Sequence, residues 1–286
     1  MGKMAYEEKQ SQLNCMNEYD SLKKVIMVPP RHMQIKEVIN EVQMHYLNEN
    51  IDIDKAMAQH TNFVELLEAE GASVFQMQEK PQLNEQVFTR DIGFTIGNRF
   101  FVSSMKETIR KEEESVLVDW LNEAQIPHFH FGIPSIEGGD VIVHGSTVYV
   151  GMNDRTSDEA VKLLKQELPG YDVIPIRLRK DILHLDCIFN IISEDTALIY
   201  PSAMETEMYE KLRENFRLIE VTEEEQFQLG PNVLSIGNRK VVSLPENSRT
   251  NEAMREKGFT VIEVPFSEII KSGGSFRCCT LPLLRG

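Results

Sequence analysis

The chain has 286 residues, with 30 Lys and Arg against 45 Asp and Glu, a net charge of −15. Hydrophobic residues make up 41% and charged residues 26%, too apolar for disorder and enough for a sizeable core. The acidic balance argues against a nucleic-acid partner, since phosphate contact needs a basic face, while it permits a cationic substrate.

No apolar run approaches the ~18 residues of a membrane span. Met1 to Gln12 is polar and lacks the apolar stretch of a signal peptide. Gly2 is followed by Tyr6 where a myristoylation motif needs Ser or Thr. The four cysteines, Cys15, Cys187, Cys278 and Cys279, show neither zinc spacing nor a disulfide framework. The expectation is a reducing, cytoplasmic setting without a membrane partner.

In chain order, the first pattern is a strand at Leu22–Val28, a helix at Met44–Glu70 and a strand at Ser73–Met77. Hairpins follow at Phe94–Ile96 with Phe100–Ser103, Val141–Val143 with Thr147–Val150, Asn190–Ile192 with Ala197–Tyr200, and Val233–Ile236 with Lys240–Leu244. Their turns fall at Gly97-Asn98, Gly145-Ser146, Glu194-Asp195 and Gly237-Asn238. Each hairpin leads into a helical pattern: Lys106–Glu123, Ser157–Glu167, Glu205–Asn215 and Asn247–Lys257. A short strand closes each unit, at His128–Phe131, Val173–Leu178, Leu218–Val221 and Thr260–Pro265.

The result is a strand, strand, helix, strand unit repeated with a period of roughly 45 to 50 residues, the mark of a ring or solenoid. Five copies close into a ring without long exposed edges. The expected architecture is α/β: a five-bladed pseudo-symmetric propeller, sheets inside and helices outside, forming one domain over residues 1–286.

The unusual polar residues share one phase of this repeat. Asp91 lies in Phe88-Thr89-Arg90-Asp91, Glu137 in Glu137-Gly138-Gly139-Asp140, His184 in His184-Leu185-Asp186, and Cys278 in Gly273-Gly274-Ser275-Phe276-Arg277-Cys278. The spacings are 46, 47 and 94, the last being two periods. Equal phase in a closed ring means equal height around one axis, so these groups should converge on a single pocket. A thiol with a nearby imidazole is a nucleophile with a proton shuttle. Carboxylates around it need a cation to face, or they raise its pKa. A guanidinium suits this set, being planar, positive and rich in N–H donors.

These motifs resemble the guanidine-modifying superfamily of arginine deiminases, dimethylarginine dimethylaminohydrolases and amidinotransferases. The likeness runs from Glu18-Tyr19-Asp20-Ser21-Leu22-Lys23-Lys24-Val25 to the cysteine segment, nearly the whole chain. That family has a five-bladed α/β propeller fold. The resemblance implies that Cys278 is the nucleophile, His184 the general acid and base, and Glu137 the group that orients it. It implies that Asp91 and Asp186 bind the guanidinium, with Phe88 a further substrate contact. It also suggests a carboxylate clamp from Arg110 and Arg155, which lie 19 residues after Asp91 and 18 after Glu137. Bidentate arginine is the usual means of holding a carboxylate. The implied partner is a small guanidino amino acid, a homodimer is allowed, and no metal or organic cofactor is required.

The implied mechanism has two halves. Cys278 attacks the guanidinium carbon while His184 protonates the departing amine, and water activated by His184 then releases a ureido product such as citrulline. An amidinotransferase, in which an amine replaces that water, shares the intermediate. A silent binder of arginine-like cations is the reading from a different class. The known dimethylarginine enzymes carry Lys where this chain has Asp186. A carboxylate there calls for N–H donors, which a doubly methylated nitrogen lacks. In this respect the chain resembles deiminases and amidinotransferases, although its length resembles the dimethylarginine branch.

Other polar residues have plainer readings. Cys279 should point away from Cys278 on a strand, and Cys15 and Cys187 read as buried thiols. Asp140 suits a turn after two glycines as well as it suits substrate. Arg90 reads as the partner of a nearby carboxylate. His128 and His130 lack a third zinc ligand at suitable spacing. Lys111–Glu114 reads as a solvated helix face, and the polar segment Arg31–Asn50 as a lid.

Overall fold

The computed structural model describes residues 13–286. Its first strand, β1 (Leu22–Met27), runs into a crossover of two helices, α1 (Glu41–Tyr46) and α2 (Ile53–Ala69), and then into β2 (Ser73–Gln76), parallel to β1. The single helix expected over Met44–Glu70 is thus broken. Asn50 holds the Ile35 backbone through both its N–H and its C=O, which turns the chain. Asp52 then caps the new helix by accepting from the Lys55 N–H.

The next unit holds β3 (Gly93–Ile96), β4 (Arg99–Val102), α3 (Lys111–Glu123) and β5 (His128–His130). A two-residue turn joins the antiparallel pair β3–β4, whereas the parallel strand β5 needs a crossover, which α3 supplies. The same order recurs in β6 (Val141–His144), β7 (Thr147–Met152), α4 (Asp158–Glu167) and β8 (Asp172–Arg177). It recurs again in β9 (Phe189–Ser193), β10 (Thr196–Ile199), α5 (Thr206–Asn215) and β11 (Arg217–Glu220). A short helix, α6 (Glu223–Phe227), leads to the last full copy: β12 (Leu234–Gly237), β13 (Lys240–Ser243), α7 (Ser248–Glu256) and β14 (Thr260–Glu263). Finally β15 (Leu281–Arg285) pairs antiparallel with β1 and completes the first blade from the far end of the chain.

Among the described residues this makes five three-stranded sheets, a five-bladed α/β propeller. Burial gives the radial order. The first strands β3, β9 and β12 are buried throughout, while the third strands β2, β5 and β14 are mostly half-exposed or exposed. Neighbouring first strands meet around the axis, β15 with β3, β6 with β9 and β9 with β12. Short bridges from Asn14 to Leu284, Cys15 to Gly97 and Asn17 to His144 lace three blades together at one end. No helix among the described residues is long and apolar enough to cross a membrane.

Most hairpin turns fall where the sequence puts them, with one slip. The last turn is Asn238-Arg239, both left-handed at φ 51° and 56°, rather than Gly237-Asn238. Gly237 pairs with Lys240 and ends the strand, and a Cβ there would sit 2.4 Å from Ser21 Cα, which is why the position is glycine. The Cys278-Cys279 pair also differs from expectation: it lies in a turn before β15, with Cys279 N–H donating to Ser275 C=O, and so obeys no strand alternation.

The first blade packs on the cysteine segment through three rings. Phe63 of α2 meets Phe276 edge-on at 5.0 Å and Phe266 at 5.5 Å, and the last two stack at 4.5 Å. Phe63 is fully buried. Phe63→Ala is expected to lower the unfolding free energy by about 3–5 kcal/mol in urea denaturation; a loss below about 1 kcal/mol would show that this cluster tolerates a cavity.

Candidate active site

Every first strand is preceded by a short connecting segment, and these segments meet on one end of the axis. Asp91 enters before β3, Glu137 before β6, His184 before β9, Asn232 before β12 and Cys278 before β15. Hydrogen bonds join each segment to the next. The Asp91 C=O accepts from Gly138 N–H at 2.9 Å. The Asp140 carboxylate accepts from Leu185 N–H at 2.9 Å. The Asn232 amide donates to Asp186 C=O at 3.3 Å and accepts from Cys278 N–H at 3.2 Å. Arg90 N–H then donates to Cys278 C=O at 3.0 Å, which closes the circle.

The glycines in the motifs are there for space. A Cβ on Gly139 would lie 2.7 Å from His184 Nδ1 and 2.9 Å from Asp91 Oδ1. One on Gly274 would lie 2.4 Å from the Phe88 ring and 3.0 Å from Cys278 Cβ. Real Cβ atoms do not approach so closely, so a side chain at either position would push apart the imidazole and carboxylate, or the ring and the thiol.

Within the circle, His184 Nε2 sits 2.7 Å from Glu137 Oε2, and its Nδ1 sits 3.5 Å from Asp91 Oδ1. The second Glu137 oxygen accepts from Lys106 N–H at 3.0 Å. Cys278 Sγ lies 3.8 and 3.9 Å from the two oxygens of Asp186. Asp186 is in turn backed by Arg277, whose Nε is 3.3 Å from Oδ2. Cys278, His184, Asp91, Glu137 and Asp186 are all buried.

Burial disfavours the charged form of every one of these groups, so their neighbours decide the outcome. For His184, burial is outweighed by Asp91, the hydrogen bond to Glu137 and the charge of Asp140, which hold it up at about 9. For Glu137, burial is outweighed by the hydrogen bond and charge of His184 and by Arg155, which hold it down at about 2. Burial keeps Asp186 raised against the opposing pull of Arg277. Cys278 has nothing comparable in its favour: burial, Asp186 and Asp91 all push its thiol well above the usual range. The site thus pairs an imidazolium with a carboxylate, and sets a thiol where a cation is wanted.

A family profile described as N,N dimethylarginine dimethylhydrolase, eukaryotic, matches residues 29–285. The chain belongs to this family, within the guanidine-modifying superfamily. Uncharacterized protein YkgA of Bacillus subtilis is 49% identical over 95% of both chains. The arginine deiminase of Bacillus cytotoxicus is 26% identical over 97% of this chain and 77% of its own. Among solved structures, the product-bound N-terminal domain of ArgZ, an arginine dihydrolase from Cyanobacteria, superposes with a TM-score of 0.85 at 23% identity, over 93% of this chain and 98% of that one. These matches support the guanidine-modifying superfamily.

The structure places Cys278, His184, Glu137, Asp91, Asp186 and Phe88 at one end of the propeller axis. The two arginines divide. Arg110, expected as half of a carboxylate clamp, is corrected here: its guanidinium is taken up by the protein's own groups. Its Nη1 holds Asp91 at 2.6 Å, its Nη2 holds Glu113 at 2.8 Å, and Nη2 also donates to Phe88 C=O. Arg155 keeps one nitrogen free of hydrogen bonds, Nη1, 3.5 Å from Glu137 Oε2, while Nη2 donates to Ile39 C=O at 2.7 Å. That carbonyl belongs to the Arg31–Asn50 segment, which also ties Asn40 to Ser272 C=O and Gln43 to Glu85 and Ser272. Asp140 serves the frame, accepting from Leu185 N–H and from Thr156 Oγ1 at 2.7 Å. Arg90 faces Glu18 at 3.5 Å, and His130 pairs with Glu114 rather than with a metal site. Among the described residues no group of three or more His, Cys, Asp or Glu is arranged to hold a metal ion.

The sequence reading missed Asn232, though its position is legible: it lies 48 residues after His184 and 46 before Cys278, the one phase of the repeat left unfilled. It also missed Arg277 and Glu18, whose 2.5 Å contact lies beneath Asp186. No spacing signals that pair.

The His184–Glu137 pair gives stability a pH dependence. His184 is raised in the folded protein, so its contribution is complete below an unfolded value of ~6.5 and is lost as pH rises through about 9. Glu137 is depressed, so its contribution is complete above ~4.5 and is lost as pH falls through about 2. From about pH 6 to pH 10, the wild type should lose on the order of 2 kcal/mol more unfolding free energy than His184→Gln. Equal losses in urea titrations of the two would remove the pair from this account.

Proposed function

We propose that the protein is a cysteine-dependent hydrolase acting at the guanidinium carbon of an arginine-like amino acid and giving citrulline or a related ureido product. The observation that carries this reading is the Cys278 thiol within 4 Å of both Asp186 oxygens, at the same end of the axis as an imidazole held by Glu137 and Asp91. The family membership and the deiminase relative support the choice of a guanidino substrate.

A guanidinium seated on Asp91 and Asp186 offsets the two charges that now oppose ionisation of Cys278. As the substrate arrives the thiol loses its proton to solvent, and the thiolate forms next to the carbon it attacks. The S–C bond forms as the C–N bond to the departing amine breaks, and the His184 imidazolium gives that amine its proton. His184, now neutral, takes a proton from water. The water oxygen bonds to the same carbon, the S–C bond breaks, and the ureido product leaves. The two carboxylates remain against the delocalised charge throughout.

Asp186 narrows the substrate. Its oxygens want N–H donors, and a dimethylated nitrogen in their place leaves an acceptor unsatisfied at a cost of ~1–3 kcal/mol. Arginine is therefore favoured over asymmetric dimethylarginine. The free nitrogen of Arg155 is the group we assign to the substrate carboxylate, as a single contact rather than a paired clamp.

The test is a ureido-product assay with arginine, monomethylarginine, asymmetric dimethylarginine and small guanidino acids. Arginine is expected to be turned over best, and Cys278→Ser to lose on the order of 10³-fold or more. Asp186→Asn is expected to lower kcat/KM for arginine about 10–100-fold, the worth of a hydrogen bond to a charged group. Turnover that survives in Cys278→Ser, or a preference for the dimethylated compound, would refute the respective part of the reading.

A further inference from the structure

We propose that Cys187 and Cys278 form an oxidisable thiol pair, a modification site in which Cys187 traps the oxidised form of Cys278 as a disulfide. The two sulfurs touch the same atom. Cys187 Sγ is 3.7 Å from Asp186 Oδ1, and Cys278 Sγ is 3.9 Å from that oxygen. Their backbones are joined as well: the Asn232 amide donates to Asp186 C=O, at the peptide bond leading into Cys187, and accepts from Cys278 N–H. The remaining thiols are placed differently. Cys15 donates to Pro282 C=O, and among the described residues no contact is seen between Cys279 and Asp186.

One member of the pair, Cys187, lines a small cavity. This cavity of about 60 Å³ is lined by Asn40, Leu183, Cys187, Phe227 and Gly273. That volume holds one or two molecules the size of water, enough for hydrogen peroxide and too small for a protein reductant.

The chemistry balances with hydrogen peroxide as the oxidant. The Cys278 thiolate attacks one peroxide oxygen, the O–O bond breaks, and the second oxygen leaves and is protonated to water. The sulfur has lost two electrons to the peroxide and is now a sulfenic acid. Cys187 gives its proton to the Asp186 carboxylate that it already faces, and its thiolate attacks the Cys278 sulfur. The S–O bond breaks, the hydroxyl leaves with that proton as water, and the S–S bond forms. A disulfide draws the Cβ atoms to ~4 Å, which displaces the carboxylate that both sulfurs now contact. The oxidised protein then lacks both the nucleophile and its guanidinium acceptor. Burial raises both thiols, so the reaction quickens with rising pH. The thiol chemistry stands on this geometry, and only its consequence for turnover rests on Cys278 as nucleophile.

The experiment exposes the full chain to hydrogen peroxide at mildly alkaline pH, blocks remaining thiols, and maps cysteine peptides by mass spectrometry. The expected product is a Cys187–Cys278 cross-link, removed by dithiothreitol with recovery of most of the lost turnover. In Cys187→Ser the cross-link is absent, Cys278 proceeds to the sulfinic acid, and dithiothreitol restores less than about a tenth, because that step is irreversible. A sulfinic acid forming in the wild type as readily as in the variant, or a bond between Cys278 and Cys279, would overturn the pair. The mass readout holds even where no substrate is turned over, so its failure is distinct from failure of the hydrolase reading.

Discussion

Five hydrogen bonds around one end of the propeller axis decide where everything else in the site can be. They run from Asp91 to Gly138, from Asp140 to Leu185, from Asp186 to Asn232, from Asn232 to Cys278 and from Cys278 back to Arg90. Each joins consecutive copies of the repeat, so the reactive groups are fixed by their neighbours in the ring rather than by their neighbours in sequence. Cys278 and His184 come from opposite parts of the chain, and the ring sets their height. The last link needs β15 paired with β1, because Cys278 immediately precedes that strand. Closing the fold therefore also completes the circle of segments, and its geometry depends on the C-terminal strand as much as on the motifs.

The same ring concentrates charge where water is excluded. Buried ions persist only when paired, and the pairing here is layered. Glu18 lies lowest, held at about 2 because Arg277 and Arg90 outweigh its burial. Arg277 joins it to Asp186 above, and Asp186 faces the thiol. To one side Arg110 holds Asp91 and Glu113, and Asp91 faces His184. Each acid that meets the reacting groups thus has an arginine behind it. This arrangement fixes the carboxylates in place while leaving their outward oxygens poorly satisfied: Asp91 Oδ1 has no hydrogen-bond partner. Such an oxygen is costly to the protein and valuable to a cation.

The propeller was legible because its signal is periodic and local. Two-residue turns such as Gly97-Asn98 and Gly145-Ser146 mark hairpins, and helical patterns after them imply parallel third strands. Repetition then turns a weak local reading into a strong global one. The phase argument also placed Asp91, Glu137, His184 and Cys278 at one end of the axis, since these residues are chemically conspicuous. It stopped at Asn232, which occupies the same phase but is a residue type common in turns, so its chemistry does not announce itself. The break between α1 and α2 was lost for a related reason: it depends on Asn50 reaching back to Ile35, a contact that no helical period encodes.

Arg110 shows where pattern gives way to three-dimensional competition. Its position relative to Asp91 is what a clamp would have, and a guanidinium in a pocket suits a carboxylate. The carboxylates that claim it, however, are Asp91 and Glu113, and both are buried with it. Moving Arg110 to an incoming ligand would strand two buried anions, at several kcal/mol each. Its observed work is to fix Asp91, whereas Arg155 faces Glu137 and Glu107 at the longer distances of 3.5 and 3.7 Å. Arg155 also holds the Ile39 carbonyl of the Arg31–Asn50 segment, so the same guanidinium faces Glu137 and fastens that segment. The position of that segment and the surroundings of the buried Glu137 are thus tied together through a single side chain.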